Sequence, residues 1–157
     1  MSTKNLPHYE LDEQIGFILR FAHQINTNHF GRSIGDGLSA TQFSLLARLA
    51  ERGPVSQNRI GRQISADGAT VTGMIIRLKQ RGLIETAKSS TDKRLVLVDL
   101  TDKGREVFER NIEASLKISA DTVGTLTPDE AETLKALLRK MIGGTPADPI
   151  AAERDRI

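Results

Sequence analysis

Ile60-Gly-Arg-Gln-Ile-Ser-Ala-Asp-Gly-Ala-Thr-Val-Thr-Gly-Met-Ile-Ile-Arg-Leu-Lys-Gln-Arg-Gly-Leu-Ile-Glu-Thr-Ala-Lys-Ser-Ser-Thr-Asp-Lys-Arg-Leu-Val-Leu-Val-Asp-Leu-Thr101 is the stretch on which the fold of this chain turns. Ser56 is placed to cap a short helix from Gln57 to about Ile64, with Ile60 and Ile64 facing inward. Ser65-Ala-Asp-Gly68 is a turn, and Asp67 is a good N-cap for the next helix, which runs from about Gly68 to Arg81. Val71, Met74, Ile75 and Leu78 share one face of that helix, while Thr70, Gly73, Arg77 and Arg81 occupy the other, with Thr72 near its edge. Gly82 supplies a left-handed stop. Ile84–Lys88 and Leu95–Leu100 then read as two strands joined by Ser89-Ser-Thr-Asp-Lys-Arg94, a hairpin with a basic tip. Small hydroxyls, glycine and arginine near a helix N-terminus can reach base edges and phosphates. The order of parts suits insertion of one helix into a DNA groove with the hairpin tip reaching beside it.

Outward from this unit, the N-terminal side carries apolar residues at Leu11, Ile15, Ile18, Ala22 and Ile25. Their alternating steps of four and three make a seam of coiled-coil type, which prefers a partner helix. Phe17 and Phe21 add a second apolar stripe, so this helix, ending near Phe30, is expected to be buried between neighbours. Gly35-Asp-Gly-Leu-Ser-Ala40 spells a dinucleotide-binding pattern, but that fingerprint needs a preceding strand and here a helix precedes it, so the segment reads as a loop. Ser39 and Gln42 form a capping box that opens a helix from about Thr41 to Glu51, with Phe43, Leu46, Ala47 and Ala50 inward and Gly53-Pro54 as its stop. Beyond the hairpin, Thr101 begins one long helix to about Gly124, with Val107, Phe108, Ile112, Leu116 and Val123 apolar. Thr127-Pro-Asp-Glu130 is a strong helix start. The helix it opens carries Leu134, Leu137, Leu138, Met141 and Ile142 as an apolar face. The polar tail at 144–157 is expected to be flexible.

The 157 residues are most simply one domain. With 38% hydrophobic and 27% charged residues the chain reads as globular. Aromatics are only 4%, so aliphatic side chains must build the core. No apolar run approaches the roughly 20 residues needed to span a bilayer, and the N-terminus has no apolar signal core. A cytoplasmic protein without membrane association is the expectation. There is no cysteine, which excludes disulfides, zinc ribbons and thiol sensing. His8, His23 and His29 show no paired spacing, so neither a metal site nor a cofactor is expected. No nucleophile elbow, P-loop, His-Glu-x-x-His or paired-carboxylate motif is present, which argues against an enzyme. The net charge of +2 is small, but eight basic residues stand against three acids between Arg59 and Arg94. A local excess of this kind favours phosphate contact, although scattered lysines and arginines on a solvated surface would look the same.

The element order and the wording of its centre resemble the MarR family of winged helix-turn-helix regulators. Leu38-Ser-Ala-Thr-Gln-Phe-Ser-Leu-Leu46 is similar to that family's second-helix opening. Thr70-Val-Thr, followed by Arg77-Leu78 and Gly82-Leu-Ile84, is similar to its recognition helix and exit. Asp92-Lys-Arg94 followed by Leu100-Thr101 and Lys103-Gly104 is similar to its wing signature. The resemblance covers about Leu11 to Ile142. It implies a mainly α fold with a small β-hairpin: a winged helix-turn-helix unit at 38–101, with N- and C-terminal dimerisation helices at 9–32 and 101–143. It further implies a homodimer on double-stranded operator DNA, with Ser56, Gln57, Ser65, Asp67, Thr70, Thr72, Gly73, Arg77, Lys88, Lys93 and Arg94 facing DNA. Arg94 would enter the minor groove, with Asp92 orienting its fork; outside this unit the same two residues would be an ordinary surface ion pair. Gly73 departs from the pattern, since many relatives carry arginine there. Its Thr-x-x-Gly form is similar to the subset controlling catabolism of aromatic acids.

The resemblance also implies a ligand-responsive repressor whose effector is an anionic aromatic or an aromatic acyl-coenzyme A. Arg20, His23, Asn26, His29, Phe30 and Phe43 are the candidates to line its cleft, a cation with nearby aromatics suiting a carboxylate. Taken singly, Phe30 and Phe43 read more readily as core, and the two histidines as ordinary polar helix residues. The alternative from another class is a winged helix used as a protein-interaction module. That would call for an apolar recognition face, and Ile76 is the single apolar exception on this one.

Overall fold

The computed structural model describes residues 8–144. A 3-10 turn, Leu11–Glu13, leads into α1 (Ile15–Ser33), then α2 (Ala40–Arg52), β1 (Val55–Ser56), α3 (Gln57–Gln63), α4 (Gly68–Gln80), β2 (Ile84–Lys88), β3 (Val96–Leu100), α5 (Asp102–Arg110), α6 (Ile112–Thr122) and α7 (Pro128–Met141). The small sheet is antiparallel throughout, in the order β1-β3-β2, with Val55 opposite Val98 and Ile84 opposite Leu100. From residue 145 onward the expected tail lies outside the described residues.

The caps fall where side-chain chemistry places them. Ser39 Oγ accepts from Gln42 N while the Gln42 carboxamide accepts from Ser39 N, a reciprocal box that opens α2. Thr127 and Glu130 do the same for α7, with Pro128 in the first turn. The core gathers Phe43, Leu45, Leu46 and Leu49 of α2, Ile60 of α3, Val71, Met74, Ile75 and Leu78 of α4, Leu83, the sheet residues Ile84, Val98 and Leu100, and Val107 of α5. Leu45 and Leu49 belong to it, whereas Ala47 and Ala50 only pack against its side.

Four expectations are corrected. The long helix beginning at Thr101 is two helices, interrupted at Asn111. The Asn111 carboxamide is buried and turned inward, donating to Val107 O and accepting from Gly35 N, and its backbone N–H bonds Phe108 rather than the residue four back. Ser56 makes no side-chain cap; it pairs with Leu97 in a strand too short to show a period. Leu95 lies just before β3 and closes the hairpin loop instead. α1 packs on α6, yet no residue of α1 is buried: Ile15, Ile18, Phe21 (60% exposed) and Ile25 face outward. Leu116, 67% exposed on α6, and Leu137, Met141 and Ile142 at the C-terminal end are equally uncovered. The winged unit thus owns a closed core, and the flanking helices do not.

Candidate nucleic-acid interface

The helix-turn-helix is held together by close approach. A Cβ on Gly61 would stand 2.9 Å from Val71 Cγ2 and 3.2 Å from Ala66 O, so α3 and α4 can pack at this distance only because residue 61 has no side chain. The turn between them runs through Ser65, which is exposed and left-handed at φ 55°. Asp67 then caps α4, accepting from Thr70 N at 2.9 Å and from the Thr70 hydroxyl at 2.7 Å. Those bonds, led by the one from the Thr70 backbone, hold the Asp67 carboxyl below the usual carboxylate range. The donor of Thr70 is therefore spent on the cap, and its oxygen is left as an acceptor.

Thr72 is similarly organised. Its hydroxyl donates to Gly68 O at 2.9 Å and accepts from Gln57 Nε2 at 2.8 Å, which holds the carboxamide of the first residue of α3 against the side of α4. Gln57, Thr72 and Gly68 line a groove of about 440 Å³ between the two helices, together with Asn58 and Arg62. Arg62 belongs to the basic excess between Arg59 and Arg94, whereas Asn58 carries no signal in the sequence. Further along α4, the guanidinium of Arg77 folds back over Gly73, its terminal nitrogens 3.6 Å from where a Cβ would stand. Thr70, Thr72, Ile76 and Arg77 are all exposed, and Gly73 is half-buried beneath the arginine.

The tip of the β2–β3 hairpin is a built turn. Ser89, buried, bonds Leu95 O through its N–H, and its hydroxyl accepts from Thr91 N and Asp92 N at 3.3 Å each. Asp92 in turn accepts from Arg94 N at 3.0 Å, Arg94 Nε at 3.2 Å and Arg94 Nη2 at 3.3 Å. The Arg94 side chain is 91% exposed. Its guanidinium bonds, followed by its backbone N–H, hold the Asp92 carboxyl below its ordinary range. Lys88 and Lys93 flank the tip and are exposed. Ser89 was legible only as one hydroxyl in a polar loop, although such Ser-Ser-Thr-Asp runs carry the side-chain-to-backbone bonds that shape turns.

The exit from α4 is clamped onto α5. The Thr101 hydroxyl donates to Gly82 O at 2.6 Å, accepts from Gly104 N at 3.0 Å and so caps α5, and Lys103 Nζ donates to Arg81 O at 2.8 Å. A Cβ on Gly104 would stand 1.8 Å from Leu83 O. The Leu100-Thr101…Lys103-Gly104 part of the wing signature is thus a docking device for the recognition helix rather than a DNA contact.

The residues singled out for an effector do not form one cluster within the chain. Phe30 and Phe43 pack with ring centres 6.1 Å apart and planes tilted by 60°, and Phe43 meets Phe108 at 5.5 Å. Asn26 donates to Thr122 Oγ1 on α6 at 3.1 Å. Arg20 lies over the Phe17 ring at 5.8 Å, roughly 15 Å along the helix axis from Phe30. His23 is exposed and His29 half-buried. Among the described residues no His/Asp/Glu cluster could hold a metal ion, and no helix is long and apolar enough to cross a membrane.

A helix-turn-helix closed by a three-stranded wing, with a polar reading helix and an exposed arginine at the wing tip, defines a winged-helix DNA-binding protein. The chain belongs to the MarR family of transcriptional regulators: the family model matches residues 38–96. The chain is 36% identical over 135 residues to the HTH-type transcriptional repressor NicR of Pseudomonas putida, 85% of each chain being covered. A probable transcriptional regulator from Pseudomonas aeruginosa superposes with a TM-score of 0.80 at 42% identity, over 85% of this chain and 100% of that one. BpsR of Bordetella bronchiseptica, whose DNA binding is regulated by 6-hydroxynicotinic acid, superposes with a TM-score of 0.82 at 38% identity, over 85% of this chain and 96% of that one.

Proposed function

We propose that this regulator is a homodimeric repressor that leaves a pseudo-palindromic operator when a small anionic aromatic acid binds. Two protomers would join through the uncovered seams of α1, α6 and α7, and their α4 helices would enter successive major grooves about 10 bp apart. Thr70, Thr72 and Gln57 would read base edges, while Arg77 and Lys88 would meet bases or phosphates. Ser56, Ser65 and Asp67 would stand at the backbone beside the helix start, and Lys93 and Arg94 would serve the minor groove. The observation that carries the DNA reading is the wing: Asp92 engages two nitrogens of the Arg94 fork and its backbone N–H, yet leaves the side chain 91% exposed. A free guanidinium held in one orientation suits the negative potential of a narrow minor groove.

The repressor role is supported by the name of the 36% identical relative, and the effector class by the 6-hydroxynicotinic acid response of the 38% identical one. That response favours a free hydroxylated ring acid over a coenzyme A thioester. The Phe30–Phe43–Phe108 cluster would supply the aromatic wall, with Asn26, His23, His29 and Arg20 as polar partners. Fluorescence anisotropy on a duplex selected from a random pool tests the whole reading. Binding is expected to weaken steeply with salt, and 6-hydroxynicotinic acid is expected to release the duplex where its coenzyme A thioester does not. Binding indifferent to salt would favour the protein-interaction alternative, and release by the thioester alone would overturn the effector class.

A further inference from the structure

Asp36 sits in the loop between α1 and α2, far in sequence from every DNA-facing residue. It is left-handed at φ 59°, a conformation uncommon outside glycine but one that Asp tolerates in turns. Its side chain is tied down on several sides. Its carboxylate takes a two-pronged bond from Arg110 (Nη2 at 2.7 Å, Nε at 3.1 Å) and a third from Asn111 Nδ2 at 2.8 Å, while Gly35 N donates back to Asn111 Oδ1 at 2.9 Å. Arg110 and Asn111 mark the interruption between α5 and α6. The backbone carbonyl of Asp36 accepts from Arg81 Nη2, and Arg81 is the C-cap of the recognition helix.

These bonds close a triangle. The first turn of α5 grips the end of α4 through Thr101 and Lys103, the last turn of α5 grips Asp36 through Arg110, and Asp36 grips Arg81. The apolar face of α4 is already packed into the winged core through Val71, Met74, Ile75 and Leu78, and the triangle adds a polar tie from its C-terminal end to α5 and the α1–α2 loop. α1 and α6, which pack on each other, enter the same node through Gly35 and Asn111. The node is therefore a polar junction between the winged unit and the flanking helices, beside the apolar one made by Phe30, Phe43 and Phe108.

We propose that Asp36 is a positioning residue for DNA recognition: its carboxylate on Arg110 and Asn111, and its carbonyl on Arg81, set the angle at which the reading helix is held from the helices that join the protomers. It touches no DNA and acts through Arg81. The inference rests on the dimeric operator reading above. Its consequence is specific: the brace fixes the distance between two recognition helices, so losing it relaxes the spacing of half-sites that the dimer accepts while leaving each half-site's sequence preference intact.

The test compares Arg81→Ala and Asp36→Gly with the wild type on three duplexes: the operator, the operator with one base pair inserted between half-sites, and one with a base pair removed. Asp36→Gly keeps the left-handed turn and removes only the carboxylate, and Asp36→Asn serves if it melts early. Each variant is expected to lose roughly tenfold of the wild-type preference for the native spacing, with base preference within a half-site unchanged. Arg81→Ala could also lose a phosphate contact, but that would weaken all three duplexes equally and leave their ratio alone. Ratios equal to wild type in folded variants overturn the inference and leave the operator reading standing. A wild type indifferent to spacing overturns both.

Discussion

Gly104 has no room for a side chain, because a Cβ would meet Leu83 O at 1.8 Å and that oxygen belongs to the clamp behind the recognition helix. Gly104→Ala is expected to destabilise the chain by about 3 kcal/mol, the upper range for forced overpacking, seen as a lower urea midpoint; an unchanged midpoint would remove the clamp. Gly73 is a contrasting case. Its would-be Cβ meets only the flexible end of Arg77 at an ordinary 3.6 Å, so Gly73→Ala is expected to stabilise α4 by about 0.5–1 kcal/mol with operator affinity kept. Gly73→Leu is expected to push the guanidinium away and cost as much affinity as Arg77→Ala. The double variant should lose no more than either single one, and additive losses in anisotropy titrations would show the two residues to be independent. Asp36 has a signature in pH. Hydrogen bonds from Arg110 and then Asn111 draw its carboxyl from 3.8 down to about 2. A depressed carboxylate stabilises the fold fully above its unfolded value and loses that contribution as pH falls toward its folded value. Between pH 4 and pH 2 the wild type is therefore expected to lose about 1 kcal/mol more than Asp36→Asn, a figure reduced for solvent screening. Parallel acid limbs for the two proteins in urea titrations would refute it.

At the scale of elements, the wing makes the sharpest claim. Arg94→Ala is expected to weaken every duplex similarly and to lower the slope of log K against log salt by about 1. Asp92→Asn is expected to do less, since it frees the fork without removing it. An unchanged slope for Arg94→Ala would take the wing off the DNA. The wing and α4 were legible in the sequence because their determinants are local: Asp67 at an N-cap, Gly82 at a left-handed stop (φ 70°), and an apolar face at helical spacing. The same holds for the boxes at Ser39 and Thr127. What was not legible depends on partners distant in the chain. Asn111 interrupts the helix after Thr101 because its carboxamide is engaged by Gly35 and Asp36, some 75 residues earlier, and nothing in its own neighbourhood announces that. β1 exists only because Val55 meets Val98. Gly61, read as one more helix residue, is the contact that sets the angle of the helix-turn-helix. The proposed effector residues mark the same limit: Arg20 over Phe17 is a local i,i+3 pair, but that Phe30 packs on Phe43 of α2 and Asn26 bonds Thr122 of α6 is not written in one helix stripe.

For the whole molecule the decisive fact is an imbalance. The winged unit closes its own core, whereas α1 and α7 leave Ile15, Ile18, Phe21, Leu137 and Met141 in solvent, and α6 leaves Leu116 there. Large apolar side chains exposed in this number call for a partner, and seams on the flanking helices of one chain suit the same seams on another, as a two-fold interface requires. Charge placed in the seam should separate the two halves of the design, because these side chains take no part in the winged core. Leu116→Asp combined with Leu137→Asp is expected to sediment as a monomer that keeps the helix-turn-helix and its wing. It should bind a single half-site as the wild type does and lose the gain from joining two sites, roughly 100-fold or more. A double variant that still sediments as a dimer at the same concentration would move the interface elsewhere. One that loses half-site binding with the dimer would show that the winged unit depends on assembly after all, through the node at Asp36 where the flanking helices meet it.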